Sequence, residues 1–375
     1  MQNNSSRFSM TRRDFLKWVA VGGVTVVGGY ALAESAPWLN ADQAVNQTWR
    51  IWDANATPSA QMQELVRYAT LAANGHNTQP WQFAIHENVI EIHPDYSRRL
   101  PVVDPQNREL WISLGCALEN LLIAARASGW ASQVTYPDAS DFIAVRLTAD
   151  ARHPSHWFDA IPWRQNTRSE YDGQPINNAD LAQIQTLPLE PGVTLRFATT
   201  RADLETLVEY VNQGNVSQYA DKGFIDELIN WLRFNKKEAL ASFDGLYSVC
   251  SGNPEVPRWL GQVFVTGTSP QQQADLDAKK LRSSSAVAVI ASESDSKSAW
   301  VRAGQVYERL ALATTALNIK SAFLNQPIEV NAIRSQFASA MGLGANRPQL
   351  LMRLGYAAAL PRSLRQPVEQ VLRQS

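Results

Sequence analysis

Leu65, Tyr68, Ala69 and Ala72 recur at helical spacing and define one face of a helix that Ser59 is placed to cap and that Asn74 and Gly75 break. The period then changes to two. Residues 82–86 and 89–93 read as strands joined by Glu87 and Asn88, which predicts a hairpin. Residues 107–129 are apolar around most of a helical circumference and end at Gly129, the pattern of a central helix. Residues 303–318 repeat that character, and each of these helices runs into a strand-like segment, 132–136 or 320–324, which predicts a weak internal duplication. Further strands are expected at 194–198, 286–290 and 350–354 and helices at 202–213 and 221–235, so the class is α+β. Two stretches lack a period. Residues 34–58, with Pro37, Trp38 and Pro58, read as an arm or linker, and 244–270, rich in Gly, Ser, Pro and large aromatics, reads as a long loop or lid.

With 375 residues, 45% of them hydrophobic and 18% charged, the chain can bury one large core or two smaller fused ones. A formal charge of -1, without a block of like charges after residue 20, gives no electrostatic ground for nucleic acid or an anionic membrane as main partner, and small-molecule chemistry moves forward. Cys116 and Cys250 cannot make a disulfide framework; one bridge is the most they allow, and Cys116 sits in an apolar helical run where a buried thiol is the commoner outcome. The five histidines are scattered without H-E-x-x-H spacing, and no G-x-S-x-G turn is present, so metal catalysis and a serine nucleophile both lack a motif.

The start of the chain reads as an address. Thr11-Arg12-Arg13-Asp14-Phe15-Leu16-Lys17 closely matches the twin-arginine export pattern and precedes an uncharged stretch at 18–33. That stretch is diluted by Gly22, Gly23, Gly28 and Gly29 and is shorter than the ~20 apolar residues a spanning helix needs, so a cleaved signal is expected rather than a stable membrane span. Ala31-Leu32-Ala33 supplies small residues for cleavage before Glu34; losing Arg7, Arg12, Arg13, Lys17 and Asp14 takes the net charge from -1 to -4. The implied course is passage through the twin-arginine translocase to a periplasmic or exported location. Because that route carries folded proteins, many of them loaded with a cofactor, a cofactor is expected.

Three strings carry the remaining chemistry. Gly75-His76-Asn77-Thr78-Gln79-Pro80-Trp81-Gln82-Phe83 is a polar turn whose carboxamides can donate and accept in one plane, as a flavin pyrimidine edge requires. Read without any family, it is more commonly a structural turn with a packing tryptophan, since one polar turn fits many sites. Ile161-Pro162-Trp163-Arg164-Gln165-Asn166-Thr167-Arg168 places two guanidiniums on one segment, and Leu360-Pro361-Arg362-Ser363-Leu364-Arg365 places two more near the C-terminus, where the guanidinium fork suits a phosphate.

The first string resembles the N-x-Q-P-W segment of the nitroreductase-like flavoproteins, in particular their Acg-family FMN-binding branch. The second is similar to the R-x-S-x-K/R segment of that fold and the third to its closing strand and basic tail; the likeness runs from about 59 to 372 and is thin from 173 to 280. The resemblance implies FMN as cofactor, with Arg164, Asn166, Arg362 and Arg365 at its phosphate and Asn74, Asn77 and Gln79 at its ring. Arg168 would lie near the N1/O2 edge, where its charge favours the anionic reduced flavin. Asn325 and Gln326 are carried over as backbone contacts near N5. Arg168 and Asn77 are the residues assigned to catalysis, through electrostatics and orientation rather than nucleophilic attack. The chain departs from the pattern at Ala72-Ala73-Asn74-Gly75, where Ala-Pro-Ser-Ser is usual, and at Asn166, where serine is usual.

The N-terminal half holds the turn without the phosphate segment, and the C-terminal half the reverse. The resemblance therefore implies a pseudo-dimer in one chain, a signal at 1–33, an arm at 34–58, halves at 59–160 and 161–375, one flavin site and a monomer. The implied activity is transfer of a hydride or electrons from a small-molecule donor through FMN to a nitro compound or quinone. The alternative is a protein that sequesters FMN under a closed lid with little turnover.

Overall fold

The computed structural model describes residues 41–52, 57–137 and 140–373. The export signal, its cleavage position and residues 34–40 of the arm lie outside them. The described remainder of the arm is ordered, contrary to the linker reading, because Val45, Trp49 and Trp52 pack against the main core and ion pairs pin the segment to the next helix, without a sustained apolar period. Helix α1 (Ala41–Thr48) ends at a Thr48 carbonyl that accepts from Arg67 at 2.8 Å, and Arg50 and Arg67 share the carboxylate of Glu64. Burial pushes that carboxyl upward, but hydrogen bonds from the two guanidiniums win and bring its pKa down to about 2. Helix α2 (Pro58–Thr70) is capped by Thr57, whose Oγ1 accepts from Ala60 N–H at 3.3 Å, with Pro58 in the first turn; the expected cap at Ser59 is therefore two residues late.

The N-terminal sheet follows as β1 (Trp81–His86), β2 (Val89–Pro94), the long helix α3 (Arg108–Ser128), β3 (Trp130–Thr135) and β4 (Ile143–Ala149). Its order is β1-β2-β4-β3, antiparallel throughout. Phe83, Ile90, Ile92, Ile143, Val145 and Leu147 face inward while their neighbours along the strands are more exposed, as expected of a sheet covered on one side. After α4 (His156–Ala160) and α5 (Asn178–Gln185) comes β5 (Val193–Ala198). A long excursion then holds α6 (Arg201–Ala220), α7 (Lys222–Trp231), β6 (Leu232–Arg233), α8 (Lys236–Ser242), β7 (Leu246–Tyr247), α9 (Arg258–Gly267) and α10 (Pro270–Arg282). The C-terminal sheet is completed by β8 (Ala286–Ser292), α11 (Lys297–Ala316), β9 (Lys320–Phe323), α12 (Gln326–Glu329), α13 (Asn331–Ala340) and β10 (Arg347–Gly355), before a last turn α14 (Val368–Val371). Its order is β5-β8-β10-β9, again antiparallel.

The excursion narrows the reading of 244–270 as a long loop or lid: 258–267 is helix α9, with α10 beginning at Pro270, whereas 244–257 holds only β7 and a short 3-10 turn. Helix α6 likewise runs well past the expected 202–213. Strand β8 is buried at every position because both its faces are covered. Ala286, Ala288 and Ile290 join the main core with α11, whereas Val287, Val289 and Ala291 pack with Leu204, Leu207 and Leu281 of α6 and α10.

Helices α3 and α11 cross at the centre. A Cβ on Gly115 would run into the Val301 carbonyl, and a Cβ on Gly304 into the Ile112 carbonyl, so only glycine permits this approach. By length and composition α3 is the one described helix able to cross a membrane, yet most of its apolar length is buried in this fold. Both cysteines are free and buried, so the possible bridge is not made.

Candidate functional site

Four separate pieces of chain converge on one cavity: the turn after α2, the 164–168 segment after α4, the 245–251 segment of the excursion, and the tail at 361–365, with Trp49 from the end of α1 beside them. The turn is held in left-handed backbone at His76, Asn77 and Gln79, with φ of 47, 54 and 52°, a conformation stabilised here by side-chain bonds. Asn74 Oδ1 accepts from Gln79 N–H at 2.9 Å and closes the turn.

The expected residues divide sharply. Asn74, Asn77, Arg164, Asn166, Arg168, Arg362 and Arg365 line the cavity. Gln79, Asn325 and Gln326 do not. Gln79 is fully buried, donating to Phe243 O at 2.8 Å and accepting from Gln366 N–H at 2.8 Å, so it ties the turn to the excursion and the tail. Asn325 Oδ1 accepts from Leu351 N–H at 2.8 Å, and the Gln326 carboxamide donates to Asp277 at 3.1 Å. Ser321 bridges Asn166, a cavity residue, and Asn325 and Gln326 follow four and five positions further along the chain, where their side chains are engaged in these other contacts.

Lining the cavity is not the same as being available to a ligand. Asn77 donates to Gly245 O at 3.1 Å and Leu364 O at 3.2 Å and accepts from Arg365 at 2.7 Å, so its carboxamide fastens the excursion and the tail to the turn. Arg365 also donates to Thr70 O at 2.8 Å and Ala72 O at 3.2 Å, covering the carbonyls at the end of α2 as a cation should. Burial, and then the nearby Arg164, bring its pKa down to about 9. Arg164 faces Glu308 at 3.0 Å and donates to Leu71 O at 2.9 Å; despite burial, Glu308 holds its charge in place. Asn166 accepts from the Tyr307 hydroxyl at 3.1 Å.

Two guanidiniums remain. Among the described residues Arg168 and Arg362 have neither a hydrogen-bond acceptor nor a carboxylate partner, and burial lowers the pKa of both. Among the described residues no acidic side chain lines the cavity, so even with Glu308 counted as ionised, four guanidiniums against one carboxylate leave three positive charges in excess. Such a site calls for an anion.

Sequence reasoning assigned no role to several neighbours. His76, inside the quoted string, has a buried Nδ1 without a partner, and burial with the Arg168 charge takes its pKa down to about 4. Cys250 and Tyr247 come from the excursion, and burial pushes the Cys250 thiol up to about 11 against the pull of Arg168 and Arg365. Gln165 exchanges bonds with Leu360, accepting from its N–H at 2.7 Å and donating to its carbonyl at 3.1 Å. Trp49 belongs to the supposed arm. None of these carries a local signal, since each acquires its place through chain pieces far apart in sequence.

No protein-family model matches the chain. Among curated proteins it is 25% identical over 337 residues to the "Putative NAD(P)H nitroreductase Rv3131" of Mycobacterium tuberculosis, covering 84% of this chain and 92% of that one. It is 23% identical over 319 residues to a second so named from the same organism, acg, covering 82% and 93%. Among solved structures, the FMN-dependent nitroreductase NfnB from Mycobacterium smegmatis in complex with NADPH aligns with a TM-score of 0.38 and 12% identity over 59% of this chain and 98% of that one, too low a likeness to argue from. Over more than four-fifths of its length, the chain is similar to nitroreductase-like proteins.

Proposed function

We propose that the chain is an FMN-dependent, nitroreductase-like oxidoreductase that passes electrons from a small-molecule donor to a small acceptor of the nitro or quinone class. The observation that carries this reading is the pair of guanidiniums, Arg168 and Arg362, uncommitted among the described residues, in a cavity that none of those residues lines with a carboxylate. FMN fits that donor set: a phosphate dianion for one cation and an electron-accepting ring for the other. When bound, FMN supplies the two-electron chemistry. Arg168 contributes a fixed positive charge where negative charge accumulates on reduction, and Asn166, Asn74 and the turn backbone supply polar contacts. No lining side chain is placed as a nucleophile.

We read the chain as a duplicated pseudo-dimer acting as a monomer and exported by the twin-arginine route. In each sheet the strand order is first-second-fourth-third with the long helix between second and third, which supports duplication. So does the reciprocal contact of Gly115 with Val301 and of Gly304 with Ile112, since residue i meets j and j meets i at a two-fold interface. The second reading, a protein that holds FMN with little turnover, is favoured by one contact: Asn77 binds Gly245 in both directions, N–H to carbonyl at 3.0 Å and side chain to carbonyl at 3.1 Å, fastening the 245–251 segment over the cavity.

The visible spectrum of the purified protein, recorded anaerobically before and after NADPH, separates the readings. A yellow protein that bleaches is a reductase, and a yellow protein that stays yellow supports storage or another donor. A colourless protein unmoved by added FMN removes the flavin reading. In R168Q the bound flavin is expected to be harder to reduce, by roughly tenfold in equilibrium constant, the weight of one unscreened charge interaction.

A further inference from the structure

We propose that Trp49 and Trp163 are positioning residues for the phosphate end of the flavin site, acting through Arg362, and that this clamp makes the site selective for phosphorylated flavin over riboflavin. The proposal rests on the FMN reading above. Four guanidiniums line the cavity, but Arg164 is committed to Glu308 and Leu71, and Arg365 to Thr70, Ala72 and Asn77. Arg168, the third, is equally uncommitted among the described residues, but in the FMN reading it serves the flavin ring; its titratable neighbours are Cys250, Tyr307, Arg353 and His76. For the phosphate that leaves Arg362.

Its guanidinium lies 4.4 Å from the ring centre of Trp163 and 5.7 Å from that of Trp49. Stacking on indole faces engages the plane of a guanidinium and leaves its in-plane N–H edge, the part that matches a phosphate oxygen pair, for a ligand. Trp49 is itself fixed. It is 4% exposed, and its Nε1–H donates at 3.0 Å to the carbonyl of Ser363, the residue next to Arg362. The Arg365 guanidinium lies 5.2 Å from the same indole. Ion pairs of Arg50 and Arg67 with Glu64 hold this end of the chain against α2. Trp163, by contrast, is 60% exposed, and an indole left so open over a cation has little to contribute to a core. The segment that reads as an arm thus becomes one wall of the cofactor site.

The test measures dissociation constants of FMN and riboflavin, by quenching of flavin fluorescence, for the wild-type protein and for W49F, W49L and W163L. In W49L, FMN is expected to weaken about tenfold and riboflavin by less than about twofold, the difference reflecting a desolvated cation–ring contact and the phosphate it serves. W49F, which keeps a ring face, restores FMN binding to within about threefold of wild type. W163L, at a largely exposed position where folding is not at stake, shows the same selective loss on a smaller scale. An unchanged ratio of the two constants in W163L, or W49F no better than W49L, overturns the proposal. Wild-type protein that binds both flavins equally also overturns it while sparing the flavin reading; wild-type protein that binds neither removes both.

Discussion

The crossing of α3 and α11 sets up two buried carboxylates in matching positions, Glu119 four residues after Gly115 and Glu308 four residues after Gly304. Their surroundings differ. Glu119 accepts from Arg309 at 2.8 and 2.9 Å and from Gln305 at 3.2 Å, and Arg309 goes on to Glu190 at 2.9 Å and the Pro188 carbonyl at 2.5 Å. This pole holds two carboxylates on one guanidinium. Glu308 accepts from Ala73 N–H at 3.2 Å and faces Arg164, with Arg168, Arg362 and Arg365 beyond. One framework thus yields a closed polar network at one end and an unneutralised cationic cavity at the other. A ligand site arises here less from the shape of the fold than from leaving charge uncompensated.

The largest test of that contrast removes each carboxylate in turn. E308Q strands Arg164 in the interior among other cations and is expected to destabilise by about 3 to 5 kcal/mol, measured by denaturant unfolding. E119Q should cost clearly less, because Arg309 keeps Glu190. Equal losses would mean that the two poles are alike in energy despite their different composition.

The shared axis comes next. G115A and G304A each force a methyl into a backbone carbonyl of the opposite helix and are expected to destabilise by about 3 kcal/mol, and by similar amounts, since the two contacts are reciprocal. A large asymmetry between them would break the two-fold description.

A smaller effect appears with pH. His76, beside Arg168, has its pKa lowered from 6.5 to about 4, so the unfolded chain takes up a proton there before the folded one does. Its contribution to stability is complete above about pH 6.5 and is lost as pH falls towards 4, with at most about 3 kcal/mol at stake because the residue is partly exposed. H76N, which tolerates the left-handed backbone, should flatten the melting temperature over this window. An unchanged slope would show that burial and the Arg168 charge do not hold His76 neutral.

Legibility in the sequence followed local physics. Strands β1 and β2 were readable because one covered face imposes alternation, and α3 and α11 because burial on nearly all sides leaves long apolar stretches broken only by a few buried polar residues such as Glu119 and Glu308. Helix α10 was missed because it is polar along most of its length and relies on a Ser269–Gln272 capping box, and α1 because it is short and is held by Val45 on the core and by Arg67 at the Thr48 carbonyl, groups distant in sequence. The candidate site was half legible. Its arginines and asparagines could be named from three strings, yet Gln79, Asn325 and Gln326 fell outside the cavity, and Trp49, Tyr247 and Cys250 came in unassigned.

By itself the sequence determined where the two long helices lie, which strands flank them and which cationic residues could serve an anion, because periodicity and side-chain chemistry are properties of neighbouring positions. Only the tertiary structure decided which of those cations are free. Arg365 is spent on Asn77, 288 positions away, and Arg164 on a glutamate from α11, whereas Arg168 and Arg362 meet no acceptor among the described residues. A guanidinium binds a ligand only if the fold has left its hydrogen bonds unmade, and that is settled by groups brought close in space, not along the chain.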